Sequence, residues 1–306
     1  MSALYQMLGL SKQAHFKART RAYAKQVVAQ QVVNAATELR KQNPGMGCRS
    51  MYDVVGQAHP IGRDGFESIL LDNGFRVRYP RNYIKTTRSA KGRYFDNLSS
   101  GKRLDGINQL WQTDITYLWA NNQFYYLVFI IDVYSRRIIA HQAHANMLAD
   151  ANIKALKQAL SLRAGASLAG LVHHSDRGAQ FTDKRYLNLL DQAQIIPSMA
   201  KECWENAYVE RVNGTIKNQY LNLMDVGSLA QLRRKLTNAV NCYNNVKPHH
   251  GLPKRLTPNE FEYQLGTGQI KPPKVTVYSQ EFSTFKQLST KRKRSKKKKI
   301  TSSSIN

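Results

Sequence analysis

Four carboxylates stand where carboxylates are costly. Asp114 lies in LWQTDITYLW and Asp132 in YYLVFIIDVYS, both inside apolar, strand-like runs. Asp176 closes GLVHHSD just before a Gly-containing loop, and Glu210 sits in the helical pattern ENAYVERVNGTIKNQY. An unpaired carboxylate in a low-dielectric interior costs several kcal/mol or surrenders its charge, so each needs a cation, a set of donors or a metal beside it. Taken singly, a strand-end Asp that caps backbone donors is the ordinary explanation. Taken together, three such acids on two strands and a helix could converge on one point. A few carboxylates with positions left open for phosphate oxygens are how two-metal enzymes hold an attacking and a leaving oxygen in line. Such hard oxygen ligands suit Mg²⁺, whereas His or Cys would select softer metals. Spacing alone does not separate Asp114 from Asp132 as members of such a set.

The elements that must position these acids begin near residue 107. INQLWQTDITYLW, QFYYLVFIIDVYS and RRIIAHQAH read as an antiparallel meander turned at Asn121-Asn122 and Ser135-Arg136. A helix, LADANIKALKQALSLR, leads to the strand that ends at Asp176; DKRYLNLLDQA (helix), QIIPSMA (strand) and the Glu210 helix follow. On that last helix, about 100° per residue places Val209, Val212, Ile216, Tyr220 and Leu223 on an apolar stripe facing the sheet. Asn206, Glu210, Asn213 and Lys217 form a polar stripe beside it. Glu205 belongs to the helix start, where an acid complements the macrodipole. Trp111 reads as core, Trp204 as a residue that could stack on bases. His173 and His174 read equally as buried strand histidines and as groups that orient a ligand or DNA.

Upstream the pattern is helical. LYQMLGLSKQAHFKARTR breaks at Gly9 and restarts behind Ser11 as an N-cap, which suggests two short helices of a helix-turn-helix with Lys12, Gln13, His15 and Lys17 near a DNA groove. QVVAQQVVNAATELRKQ is a longer helical stretch. In the next unit Asp64 and Glu67 could form a capping box, Phe66, Ile69 and Leu70 an apolar face, and Asn73-Gly74 a stop. The expected organisation is a helix-turn-helix with connecting helix at 1–43, a second such DNA-binding domain at 44–85, a basic linker at 86–103, a catalytic core at 104–265 and an extension with a basic tail at 266–306.

Charge indicates the partner. Of a formal net charge of +26, residues 1–103 supply 18 basic against 6 acidic side chains, and KRKRSKKKK (Lys291 to Lys299) another eight basic ones. Such an excess at both ends suits a polyanion, and Arg292 and Lys297 in the tail read as sequence-independent phosphate contacts. Cys48, Cys203 and Cys242 are isolated, with no zinc-site spacing, and read as reduced thiols. No apolar run approaches the roughly 18 residues of a membrane span and no signal peptide opens the chain, so a soluble, intracellular protein with no membrane partner is expected.

WQTDITY, FIIDVYSRRIIA, HHSDRGAQF, ENAYVERVNGTIKNQY and YNNVKPHHGLPKRLTPNEF resemble, in order from about residue 107 to 263, successive blocks of bacterial insertion-sequence transposases with a retroviral-integrase-like DDE catalytic core. NPGMGCRSMYDVV through DNGFRVR resembles their upstream helix-turn-helix region. The resemblance implies an α/β fold, a ribonuclease-H-like mixed sheet flanked by helices and preceded by small helical domains. It implies a metal-binding catalytic triad of Asp114, Asp176 and Glu210 holding two Mg²⁺ or Mn²⁺ ions, with Asp132 outside it. Arg177 and Gln180, in the loop after Asp176, and Lys217, seven residues after Glu210, become DNA contacts, and Tyr243, Asn244, Pro248 and His249 pack the last helix against the sheet. The implied activity is cleavage at terminal inverted repeats and strand transfer into target DNA, by a homo-oligomer in a synaptic complex. The setting is bacterial cytoplasm at the nucleoid, with fusion to an upstream-frame protein also within the family's pattern. A ribonuclease-H-like nuclease and a catalytically inactive regulator are the rivals. Two features depart from the pattern: 33 residues separate Asp176 from Glu210, where the family has about two more, and the retroviral His-His-Cys-Cys module has no counterpart.

Overall fold

The structure, a computed structural model, describes residues 11–77, 94–146 and 149–277. In chain order its main elements are α1 (Lys12–Gln42), α2 (Cys48–Val55), α3 (Arg63–Asp72), β1 (Arg103–Leu104), β2 (Leu110–Ala120), β3 (Gln123–Asp132), β4 (Ile138–His144), α4 (Ala149–Leu162), β5 (Val172–Ser175), α5 (Lys184–Gln192), β6 (Ile196–Met199), α6 (Ala207–Gln219), α7 (Leu229–Asn245), α8 (Pro258–Gly266) and β7 (Val275–Thr276). They fall into two compact units, each discontinuous in sequence: Met1–Ile84 with Gly214–Phe261, and Lys85–Asn213 with Glu262–Asn306. This partition differs from the sequence-based one in grouping 214–261 with the N-terminal residues.

The second unit is built on a five-stranded sheet ordered β4-β3-β2-β5-β6. β2, β3 and β4 form the expected antiparallel meander, while β5 and β6 run parallel to β2. The β2–β3 turn is the two-residue Asn121-Asn122, both at positive φ (47° and 56°), the geometry that matches strand twist and that Asn tolerates best. β3 is buried continuously from Leu127 to Asp132, as a strand covered on both faces must be. Against one face pack the small residues Ala151, Ala155 and Ala159 with Leu156 of α4, and Tyr186 and Leu190 of α5, meeting Trp111, Val128, Ile130 and Ala140. The result is a mixed five-stranded sheet flanked by helices, preceded in the chain by a helical region. β1 and β7 pair separately as a short antiparallel ribbon.

The half-buried Glu262 ties the unit's segments together. Its carboxylate receives a bidentate pair from Arg163 (2.5 and 2.9 Å), one bond from Arg137 (2.5 Å) and one from the Ser135 hydroxyl (2.7 Å). Burial pushes its pKa up, but the Arg163 bonds and the two guanidinium charges outweigh that and hold it below the ordinary range.

In the first unit α1 is one 31-residue helix, not the short helix expected after Gly9. Ser11 is its N-cap as read, accepting from Ala14 N at 3.0 Å; the helix expected before Gly9 lies outside the described residues. Residues 12–27 stay exposed, whereas Val32 and Ala36 join Met51, Phe66 and Leu70 in a small core. α3 starts behind Gly62 with no side-chain cap, so the Asp64–Glu67 capping box does not form: Asp64 pairs with Arg63 and Glu67 with Arg49. The Asn73-Gly74 stop is present, with Gly74 at φ 79°. Gly45 is required by close approach: its N–H donates to Gln219 O at 2.8 Å, and a Cβ there would lie 2.5 Å from Gln219 Cα. Cys48 and Cys242 are free, buried thiols, and among the described residues no helix is long and apolar enough to cross a membrane.

Desolvation holds the His173 ring down to about 3 and the His141 ring down to about 4, so both are neutral in the fold. An unfolded chain takes up a proton on each below its ordinary value near 6.5. Their contribution to stability is therefore complete above that pH and is lost as acid passes toward the folded values, at up to about 1.4 kcal/mol per pH unit for each ring. Urea midpoints are expected to fall steadily from pH 6.5 to 4.5, with a shallower fall in His141→Gln. Identical pH profiles for the two proteins would refute the assignment.

Candidate active site

The two buried aspartates separate by what surrounds them. Asp132 ends β3 fully buried. Its Oδ1 accepts from Tyr134 N (3.0 Å) and Ser135 N (2.9 Å), and its Oδ2 from Asn108 N (2.7 Å). Three backbone donors on one carboxylate make it the structural pin of the β3–β4 turn. Burial nonetheless raises its pKa, against those hydrogen bonds.

Asp114 has a different setting. On β2 it is half-buried, and β2 pairs in parallel with β5 so that Gln112 registers with His174. Two residues further along each segment stand Asp114 and Asp176. Asp176 has just left β5; Gly178 N donates to its Oδ1 at 3.0 Å, yet burial dominates and raises its pKa.

Glu210 arrives on α6, whose start is fixed on β2. Asn206 Nδ2 donates to Thr113 O (2.9 Å), Gln112 Oε1 accepts from Tyr208 N (3.2 Å) and Val209 N (3.3 Å), and Asn213 Nδ2 donates to Asp114 Oδ2 (2.7 Å). The expected apolar stripe holds for Val209, Val212, Ile216 and Tyr220, all buried, but not for Leu223, which is exposed because the helix ends at Gln219 and a short 3₁₀ turn redirects the chain. Glu205 lies in the 3₁₀ turn Cys203–Asn206, where its carboxylate accepts from Lys201 N and Glu202 N in a capping box with Glu202. Both of those acids are committed to backbone. Glu210 is exposed, and its carboxyl is raised by desolvation.

Asp114, Asp176 and Glu210 thus share one end of the β2–β5 pair and the helix pinned to it. Among the described residues, no three His, Cys, Asp or Glu side chains gather closely enough to enclose a metal ion. The donor chemistry nevertheless fits a hard divalent cation. Asp176 and Glu210 are both raised by desolvation, and among the described residues no Lys or Arg forms an ion pair with either. A cation between such groups would offset that penalty.

Arg177 stacks over the Tyr94 ring at 4.5 Å, and the Gln180 amide folds back over Gly178. Lys217 is half-buried on the part of α6 that belongs to the first unit, where Lys12, Gln13 and Lys17 stand exposed on α1. Arg292 and Lys297 lie outside the described residues. The histidines take the structural alternative. His173 bonds the Tyr186 hydroxyl at 2.6 Å, and His174 sits between Ser198 (2.9 Å) and Ser99 (3.2 Å), fastening the segment before β1 to β6. Trp111 is core, as read. Tyr243 packs edge-on against His249 in the first unit. Gln112 was missed; its only signal is a polar amide in a buried strand, two residues before an acid.

Residues 105–202 match an integrase core domain family, and a second integrase core domain family matches residues 192–258. The chain is 28% identical over 235 residues to the transposase InsF of insertion sequence IS3A from Escherichia coli K12, covering 76% of this chain and 81% of that one. It is 35% identical over 121 residues to a putative transposase of IS986/IS6110 from Mycobacterium tuberculosis, covering 37% of this chain and 43% of that one. Among solved structures, the HTLV-2 integrase catalytic core in complex with magnesium aligns with a TM-score of 0.42 and 23% identity, covering 54% of this chain and 99% of that one.

Removing the Asp132 carboxylate strands the N–H groups of Asn108, Tyr134 and Ser135, and a buried donor left unsatisfied costs about 1–3 kcal/mol. Asp132→Ala is therefore expected to destabilise the fold by at least about 3 kcal/mol in urea titration. Asp132→Asn, which keeps an acceptor oxygen, should cost clearly less. Equal losses from the two would show that the donors do not depend on this carboxylate.

Proposed function

We propose that this chain, which belongs to the insertion-sequence transposases with an integrase core, nicks DNA at the terminal inverted repeats of its element and joins the freed 3′-hydroxyl to target DNA. One observation carries the catalytic reading: β2 and β5 pair so that Asp114 and Asp176 follow a registered pair of residues, while the helix bearing Glu210 is fastened to the same stretch of β2. Both steps are in-line displacements at phosphorus, with water and then a 3′-hydroxyl as nucleophile, and no protein side chain is needed as a covalent carrier.

Asp114, Asp176 and Glu210 would hold the divalent cations, two Mg²⁺ or Mn²⁺. Bound there, such ions polarise the phosphoryl group, activate the attacking oxygen and stabilise the leaving one. Asn213 keeps Asp114 oriented by its amide hydrogen bond. Arg177 follows Asp176 directly and would meet a phosphate at the strand end, with Gln180 beside it and Lys217 engaging the terminal phosphate. Lys12, Gln13 and Lys17 at the start of α1, with Arg292 and Lys297 in the tail, would supply duplex affinity, in line with the basic excess at both ends. Two element ends must be joined in one event, which calls for several copies of the chain in a synaptic complex. The cytoplasm, at the nucleoid, is where such DNA is met.

An oligonucleotide strand-transfer assay tests the assignment. Asp114→Asn, Asp176→Asn and Glu210→Gln are each expected to abolish cleavage and joining while repeat-DNA binding persists. Glu205→Gln is expected to keep transfer and lose about 1 kcal/mol of stability through its cap. An active Glu210→Gln beside an inactive Glu205→Gln would transfer the third ligand to Glu205.

Truncation before Lys291 removes eight basic residues. If they meet phosphates, log affinity against log salt should become shallower by up to about 0.9 for each lost duplex contact. An unchanged slope would dissociate the tail from DNA binding.

A further inference from the structure

We propose that Gln112 is the positioning residue that sets Glu210 relative to Asp114; the proposal rests on the reading of those acids as cation ligands. A helix begins with N–H groups that have no partner inside the helix, and a side chain just before it ordinarily accepts from them. In α6 that arrangement is replaced. Asn206, the residue before the helix, spends its amide on Thr113 O. The N–H groups of Tyr208 and Val209 instead converge on Gln112 Oε1 at 3.2 and 3.3 Å, and Gln112 Nε2 closes the bridge by donating to Glu205 O at 3.2 Å. The cap of α6 therefore comes from a strand more than 90 residues earlier in the chain.

Position makes this cap matter for chemistry. Gln112 is fully buried and locked in β2, registered with Ile131 of β3 and His174 of β5. It shares a strand face with Asp114, about 7 Å further along. Val209, one of the two residues it holds, immediately precedes Glu210. One rigid amide thus fixes both the height and the rotation of the Glu210 turn with respect to the strand that carries Asp114. Carboxylates serving Mg²⁺ must meet near-octahedral geometry, and a supporting contact that lets a ligand drift by about 1 Å leaves a site too loose to work. Asn in place of Gln would be one methylene too short. Met would match the length and leave two buried N–H groups without an acceptor.

The test uses the full chain. Mn²⁺ binding is titrated calorimetrically without DNA, thermal unfolding is measured, and strand transfer is assayed on repeat oligonucleotides. Gln112→Met is expected to weaken Mn²⁺ binding about 10- to 100-fold, the range for groups that orient metal ligands, and to lower kcat with KM for repeat DNA unchanged. Gln112→Glu, whose buried carboxyl gives up its charge, then offers a carbonyl acceptor to Tyr208 and Val209 and a hydroxyl donor to Glu205 O, so it keeps the bridge, should fold even if Gln112→Met does not, and should bind Mn²⁺ more tightly than Gln112→Met. Parent-like Mn²⁺ affinity in Gln112→Met, with only its melting temperature lowered, would reduce Gln112 to a packing residue and overturn the proposal. So would a loss in Gln112→Glu as large as that in Gln112→Met. Asp114→Asn separates the two levels: if it too binds Mn²⁺ like the parent, the cation site itself is misassigned, and if it alone loses binding, only the part given to Gln112 fails.

Discussion

The parallel pairing of β2 with β5 is the constraint on which the second unit depends. The two strands register over only a few residues, Leu110 with Val172, Trp111 with His173 and Gln112 with His174. They lie about 60 residues apart in sequence, a closure that a meander and a crossover helix must complete before the pairing can form. A slip of one residue would turn Trp111 out of the core and move Asp114 to the opposite face. The two faces of β2 are occupied by different chemistry, an aliphatic and aromatic core on one and the amides of α6 on the other, so the register is held from both sides.

Buried charge is handled in three ways within this one unit. Asp132 is surrounded by backbone donors, and Glu262 by two guanidinium groups and a hydroxyl. Asp176, largely desolvated, is answered by the backbone donor Gly178 N, and its pKa stays raised. Removing Glu262 would leave the buried Arg163 uncompensated, which ordinarily costs about 3–5 kcal/mol. The scaffold carboxylates are thus satisfied by donors within the folded chain, and Asp176 is satisfied less fully.

The meander, its Asn-Asn turn, the parallel strands and the helix after Asp176 were legible because period-2 and period-3.6 patterns are strong there. The Asp64–Glu67 box was not, since Gly62 starts α3 and each acid finds an arginine instead. Residues 12–42 are continuous helix because nothing between them breaks it; reading the helical signal at Ser11 and the one at Gln26 as separate helices imposed a boundary that no Gly or Pro supports. Asp114 and Asp132 could be told apart only by resemblance, because the difference lies in Asn108, Tyr134 and Ser135, three-dimensional neighbours whose donor role no local pattern announces. Gln112 was invisible for the same reason: its partners are contributed by a distant turn.

These contacts also bear on the stretch between Asp176 and Glu210. The 33 intervening residues contain α5, β6 and the capping-box turn, each anchored on its own: Tyr186 and Leu190 in the core, Met199 N on Asp96 O, and Glu202 with Glu205. If loop length set the position of α6, a change of two residues in that stretch would rotate Glu210 by roughly 200° about the helix axis. Instead the register of α6 is written by Gln112, Thr113 and Asp114, three consecutive residues of β2 that meet Tyr208 and Val209, Asn206 and Asn213. A connecting loop can then gain or lose residues at small entropic cost while the helix stays where the strand holds it.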